Sequence, residues 1–157
     1  MSEARRRPDD DSDFSRRVRE AIQKRIKNLL SCDRDTEVPK KGGTFLARWE
    51  NDGVVVNNLA GQPCLKWDAF YEAVNVVWQH GTATRGNAMK HRLGEPDLPL
   101  DSIEGWVAFR VYQKGTGDSV FRRSVPLIRI LEAAGILTSF EGDFGLTDDF
   151  GREINPR

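Results

Sequence analysis

Residues 80–94, HGTATRGNAMKHRLG, bring Arg85, Lys90, His91 and Arg92 into one short stretch, with Asn87 among them. Threonines and glycines open it, a composition suited to a turn followed by a capped helix start. Backbone N–H groups at such a start donate well to a phosphate. Guanidinium and ammonium groups would neutralise the phosphate, and Arg85 or Asn87 could hydrogen-bond base edges from a major groove. Arg122 and Arg123 follow the turn GTGDS and make a second place of this kind. Arg85, Asn87, Lys90, Arg92, Arg122 and Arg123 are therefore the candidate nucleic-acid-binding residues. The competing reading is plain surface charge, which the helix dipole favours at a C-terminal end without any ligand.

Other chemistries find less support. The sequence contains no Gly-x-Ser-x-Gly elbow, no phosphate loop ending in Gly-Lys-Ser/Thr and no His-Glu-x-x-His. Cys32 and Cys64 are too far apart for a metal-binding pair, and His80 and His91 do not share a helix face. Asp97, Asp101 and Glu104 with Lys90 or Lys114 are all that a small nuclease or hydrolase could use. Of these, Asp101 and Glu104 also fit a helix cap and its capping-box partner. The expectation is a protein with no enzymatic activity, no metal and no cofactor.

The elements that must position these residues can be read from apolar spacing. Residues 1–11, MSEARRRPDDD, set a basic run against an acidic one and are expected to be a disordered tail. Residues 12–30 form a basic amphipathic helix: Phe14, Val18, Ile22, Ile26 and Leu29 make its stripe, and Arg16, Arg17, Arg19, Lys24, Arg25 and Lys27 its flanks. Such a stripe either docks on the body or meets a partner, a membrane surface or nucleic acid. Residues 31–43 read as a linker, 44–150 as a single α+β domain and 151–157 as a C-terminal tail that ends the acidic, frayed run DDFGREINPR.

Within the domain, alternation around Phe45, Ala47 and Trp49, the turn Asn51-Asp52-Gly53 and the run Val54-Val55-Val56 predict a β-hairpin. Trp67, Phe70, Val74, Val77 and Trp78 predict a helix that Gly81 ends. A short helix is expected through Asn87 to Leu93, and a third behind Asp101, with Ile103, Val107 and Val111 inward and Trp106 alongside. A fourth begins near Pro126 and carries Ile128, Leu131 and Ala134. ILTSFEGDFGLT then predicts a second hairpin with Glu141-Gly142-Asp143 at its tip.

Residues 67–115 thus run helix, tight turn, short helix, loop, helix, the order of a helix-turn-helix unit. The segment PLIRILEAAGILTSFEGDFGLT adds a helix that steps through glycine into a hairpin. Through Ile128, Leu131, Gly135, Ile136 and Leu137, residues 67–147 resemble the winged helix-turn-helix DNA-binding superfamily. The expected fold is α+β: a helix-turn-helix-like helical bundle with an N-terminal β-hairpin and a C-terminal wing-like hairpin. The resemblance implies a nucleic-acid-binding protein in a regulatory or accessory role, with DNA a better partner than RNA.

Charge divides these possibilities. The chain is neutral overall, with 24 basic and 24 acidic residues, which argues against an indiscriminate polyanion binder. Residues 81–130, however, hold 8 basic against 5 acidic groups, a local surplus that favours nucleic acid. The hairpin tip carries Glu141 and Asp143, where a strand tracking phosphates is usually basic. That favours the alternative, a protein-protein interaction module on the same scaffold. There is no apolar run of about 18 residues and no apolar leader, so no membrane span is expected and a cytoplasmic location is the default.

Overall fold

The computed structural model describes residues 12–155, so the expectations for residues 1–11 and for 156–157 lie outside it. Among the described residues, five helices and two antiparallel sheets make an α+β fold. Helix α1 spans Ser12–Leu29. Strands β1 (Thr36–Lys40), β2 (Gly43–Glu50), β3 (Gly53–Val56) and β4 (Cys64–Lys66) follow as a sheet in the order β1-β2-β3-β4. Helices α2 (Trp67–His80), α3 (Ile103–Arg110) and α4 (Ser124–Ala133) come next. A hairpin of β5 (Leu137–Phe140) and β6 (Asp143–Leu146) and a last helix α5 (Asp148–Ile154) complete the chain.

The first sheet follows from period-two burial. Val38, Phe45, Ala47, Val54, Val56 and Leu65 point inward, while Leu46, Arg48 and Val55 lie on the other face. In the register, Glu50 opposes Gly53 across the turn Asn51-Asp52. Gly53 is required by close approach, because a Cβ there would sit 2.0 Å from the Leu65 carbonyl oxygen. Strand β1 occupies much of the expected linker. Val38 is its one buried apolar side chain, and Pro39 is tolerated because the strand lies at the sheet edge.

Helix α2 is buried over most of its surface and sits at the centre. Trp67, Phe70, Val74 and Val77 are buried with Ala69, Ala73 and Val76, and α1, α3, α4, β3, β4 and β6 pack around it. The expected core residues Trp67, Phe70, Val74, Ile103, Val107, Ile128 and Leu131 all join one cluster, with Trp78 and Trp106 half-buried against it. Helix α1 docks by its stripe: Val18, Ala21, Ile22 and Ile26 are buried, and its basic side faces outward.

Three local expectations are corrected. The short helix through Asn87 to Leu93 does not form: residues 81–102 are turns and irregular chain, with Gly86 at φ 85° and Gly94 at φ 97°. A Cβ on Gly86 would lie 2.6 Å from Ser102 Oγ, so the close approach and the left-handed backbone together account for this glycine. Within this segment Ala83 forms an antiparallel bridge with Phe144, its N–H donating at 3.0 Å and its carbonyl accepting at 2.9 Å. Helix α3 is capped by Ser102, whose Oγ accepts from the Gly105 N–H at 3.0 Å, not by Asp101; Glu104 turns inward instead of closing a capping box. It ends at Arg110, well before Gly115.

The third correction concerns the frayed tail. Thr147 caps α5 by accepting from the Phe150 N–H at 3.1 Å, and Phe150 and Ile154 are buried. Arg25 of α1 clasps this helix. It donates to Asp149 Oδ2 at 2.8 Å and Glu153 Oε1 at 2.7 Å, reaches the Gly135 carbonyl at 3.0 Å, and stacks 5.2 Å from the Phe150 ring centroid. Because Phe150 is completely buried at this junction, Phe150→Ala should lower stability by about 3–5 kcal/mol in urea unfolding. A loss below about 1 kcal/mol would show that α5 is peripheral.

Candidate nucleic-acid interface

Four of the six candidate residues sit in the irregular segment 81–102. Arg85 is half-buried beside the start of α3, where its carbonyl accepts from the Glu104 N–H at 2.9 Å. Asn87 is exposed; its Oδ1 accepts from the Met89 N–H at 3.1 Å and its own N–H donates to the Asp97 carbonyl at 2.9 Å. Lys90 and Arg92 are exposed, and Arg92 donates to the Gly117 carbonyl at 3.2 Å. The Leu93 N–H donates to Asp118 at 3.0 Å and the Gly117 N–H to Leu93 at 2.8 Å, stitching this segment to the chain after α3. Leu93 and Leu98 anchor it by packing with Ala108 and Val120. Glu95 and Asp97 bring negative charge into the same segment, with their carboxylates 3.3 and 3.2 Å from the His91 ring.

The paired arginines separate. Arg122 is exposed and lines a shallow cleft of about 310 Å³ with Lys40, Asn58 and Leu59 at the start of α4. Arg123 is only 4% exposed, so it is withdrawn from any nucleic-acid-facing surface. Its guanidinium lies 3.5 Å from the Tyr112 ring centroid and 4.9 Å from that of Phe121, and donates to the Phe121 carbonyl at 3.3 Å and to Gln62 Oε1. Burial lowers its pKa, against the opposing pull of Tyr112 and Glu104. The physical reason is local: the Arg123 backbone enters α4 beside a buried carboxylate, and its side chain covers an aromatic wall.

That carboxylate belongs to Glu104, 2% exposed. Oε2 accepts from the Arg123 N–H and Oε1 from the Ser124 N–H, each at 2.9 Å. Glu104 therefore caps the N-terminus of α4 across space. Burial pushes its carboxyl up, while the two N–H groups and the Arg123 charge pull it down. Pro126 has no N–H and the Leu127 N–H donates to the Arg123 carbonyl at 3.3 Å, so most donors that could hold a phosphate here are already used. Nor is the helix wall free. Ser124, Pro126, Leu127, Ile128, Ile130 and Leu131 are buried, and α4 packs on β1.

A second cleft, of about 500 Å³, is lined by Asn51, Asp52, Cys64, Lys66, Trp67 and Asp68. Its thiol is poorly suited to nucleophilic chemistry: burial raises the Cys64 pKa, and Glu50 and Asp52 raise it further. Among the described residues no three His, Cys, Asp or Glu side chains are grouped to hold a metal ion.

Glu104 was legible only as a capping-box residue, and Arg123 only as half of a basic pair; neither sequence pattern reports which way a side chain turns. Removing the carboxylate with Glu104→Ala leaves two buried N–H groups without acceptors and should cost about 3 kcal/mol or more in urea unfolding. Glu104→Gln should cost less, since one amide oxygen remains to accept. A carboxyl raised in the folded state keeps its proton longer there than in the unfolded chain. Wild-type stability should therefore fall as pH rises from the ordinary glutamate value through the raised one, and Glu104→Gln should lack that fall. Identical pH profiles would overturn this assignment. Comparison with protein-family models, curated proteins and solved structures yields no match for the chain.

Proposed function

We propose that the protein binds nucleic acid, duplex DNA in preference to RNA, in a regulatory or accessory role. The observation that carries this reading is connectivity. Helix α2, the bridging residue Ala83, helices α3 and α4 and the hairpin β5-β6 run in an order that resembles a winged helix-turn-helix unit, and Ala83 makes a single antiparallel bridge to Phe144 beside the two-stranded sheet. In that arrangement α4 would be the helix that enters a groove. Its burial under β1 rules out that use. Contact then falls to Arg85, Lys90, Arg92 and Arg122, which neutralise phosphates and hold a duplex without reading its sequence. Asn87 has its acceptor oxygen committed to the Met89 N–H, which leaves only its amide donors for a base edge.

The interaction-module reading is favoured by two observations: α4 is absorbed into the core, and Met89 and Phe109 stand 63% and 42% exposed. Ionic-strength dependence separates the two. Binding of a mixed duplex-DNA pool should weaken with salt at a log–log slope near −0.9 per phosphate contacted. Lys90→Ala with Arg122→Ala, both exposed, should flatten that slope by about 1–2 units with the fold intact. Absence of wild-type binding at about 50 mM salt, where such contacts are strong, would overturn the nucleic-acid reading in favour of a protein partner.

A further inference from the structure

We infer that the outward face of α1 is a second phosphate-contacting surface, one that lies along a nucleic-acid duplex. The inference rests on the nucleic-acid reading and adds to it a site outside the segment 81–123. The helix is amphipathic and its two sides have different fates. Val18, Ala21, Ile22 and Ile26 are buried, and the helix packs on α2, α4 and α5. Arg17, Arg19 and Lys24 are exposed and Lys27 is half-buried on the other side, with Glu20 as the acidic residue among them. Among the described residues Arg17 and Lys24 make no ion pair or hydrogen bond. Seven residues apart, they stand two turns from each other on one side of the helix.

The flanking cations are held in place. The Arg19 guanidinium sits 5.4 Å from the Tyr71 ring centroid, and the Lys27 ammonium 4.5 Å from that of Trp49 and 5.8 Å from that of Trp67. These aromatic supports fix the stems without neutralising the charge. The result is a rod with four cations over roughly 15 Å of axis. A duplex carries about nine phosphate charges along the same length.

The partner's class follows from what this face lacks. A helix that lies on a bilayer inserts its apolar side, and here that side is inside the protein core. A protein partner needs an apolar or aromatic anchor at the centre of the contact. Among the described residues the large exposed apolar side chains are Met89, Leu100 and Phe109, none of them on α1. A band of cations with no exposed apolar anchor among the described residues suits phosphates, whose binding is driven by counterion release.

The test is fluorescence anisotropy of a labelled mixed-sequence duplex across about 50–200 mM salt. It compares the full chain with Arg17→Glu/Lys24→Glu, with the charge-preserving Arg17→Lys/Lys24→Arg, and with Lys90→Ala/Arg122→Ala. The charge reversal should weaken binding by about tenfold or more near 100 mM salt and flatten the slope by about two units, while the charge-preserving pair behaves as wild type. Equal urea midpoints for all variants establish that folding is unchanged; if the reversal shifts its midpoint, Arg17→Gln/Lys24→Gln takes its place. If the reversal binds like wild type while Lys90→Ala/Arg122→Ala is weakened, the α1 surface is overturned and the proposed function stands. If wild type binds no duplex but binds phosphatidylserine vesicles or polyglutamate, the proposed function fails and the inference with it.

Discussion

The fold turns on one buried carboxylate. Glu104 leaves α3 pointing inward and accepts the N–H groups of Arg123 and Ser124 at the entry to α4, so the start of one helix is fixed by the flank of another. A carboxyl group at this depth is tolerable only when its oxygens are well satisfied and a cation is near. Arg123 supplies the nearby charge and then spreads over Tyr112 to reach Gln62 before β4. The same few atoms thus set α4 against the first sheet and hold the turn between β3 and β4. The consequence for function is direct. A helix held this way, with β1 along its wall, keeps six of its ten residues buried and has little free side to offer a groove.

A second polar seam gives α2 its orientation. The Glu72 carboxylate, mostly buried, accepts from Asn75 and from the Trp106 indole N–H, both at 2.9 Å, and Arg110 approaches it at 3.7 Å. Trp106 is therefore half-buried for a reason: its ring packs on the core while its N–H answers a carboxylate. Trp67 does the same with the Glu50 and Asn51 carbonyls at 3.2 and 3.1 Å, tying α2 to the β2-β3 turn. Directional bonds of this kind choose one packing of the helices among the several that apolar contact alone would permit.

Long, strongly periodic elements were legible. Helices α1, α2 and α4 and both hairpins lie where apolar spacing and the turns Asn51-Asp52-Gly53 and Glu141-Gly142 put them. Shorter elements were not, because their signals depend on tertiary contact. Strand β1 has Val38 as its one inward apolar residue, and Pro39-Lys40 reads as a linker until a sheet edge is there to receive it. Helix α5 has only Phe150 and Ile154, one turn apart, and depends on Thr147 and Arg25. Residues 82–94 carry helix-start chemistry in Thr82 and Thr84, yet Leu93 and Leu98 gain more from packing on α3 than a helix would provide. Of the candidate site, the exposed residues Asn87, Lys90, Arg92 and Arg122 were visible as chemistry. The inward turn of Arg123 was not, since two adjacent arginines look alike until their surroundings differ.

The clasp made by Arg25 has a kinetic side. Its bond to Glu153 joins residues 128 positions apart, so α1 and α5 meet only after nearly everything between them has been made. In order of synthesis the Val18, Ile22 and Ile26 stripe precedes α2, α4 and α5, the elements that cover it. Final closure is then a late event with a large entropic span, the kind of non-local contact that slows folding. Until those elements follow, the apolar stripe of α1 has none of the cover that the folded chain gives it, the kind of exposed surface that makes incompletely folded chains prone to associate.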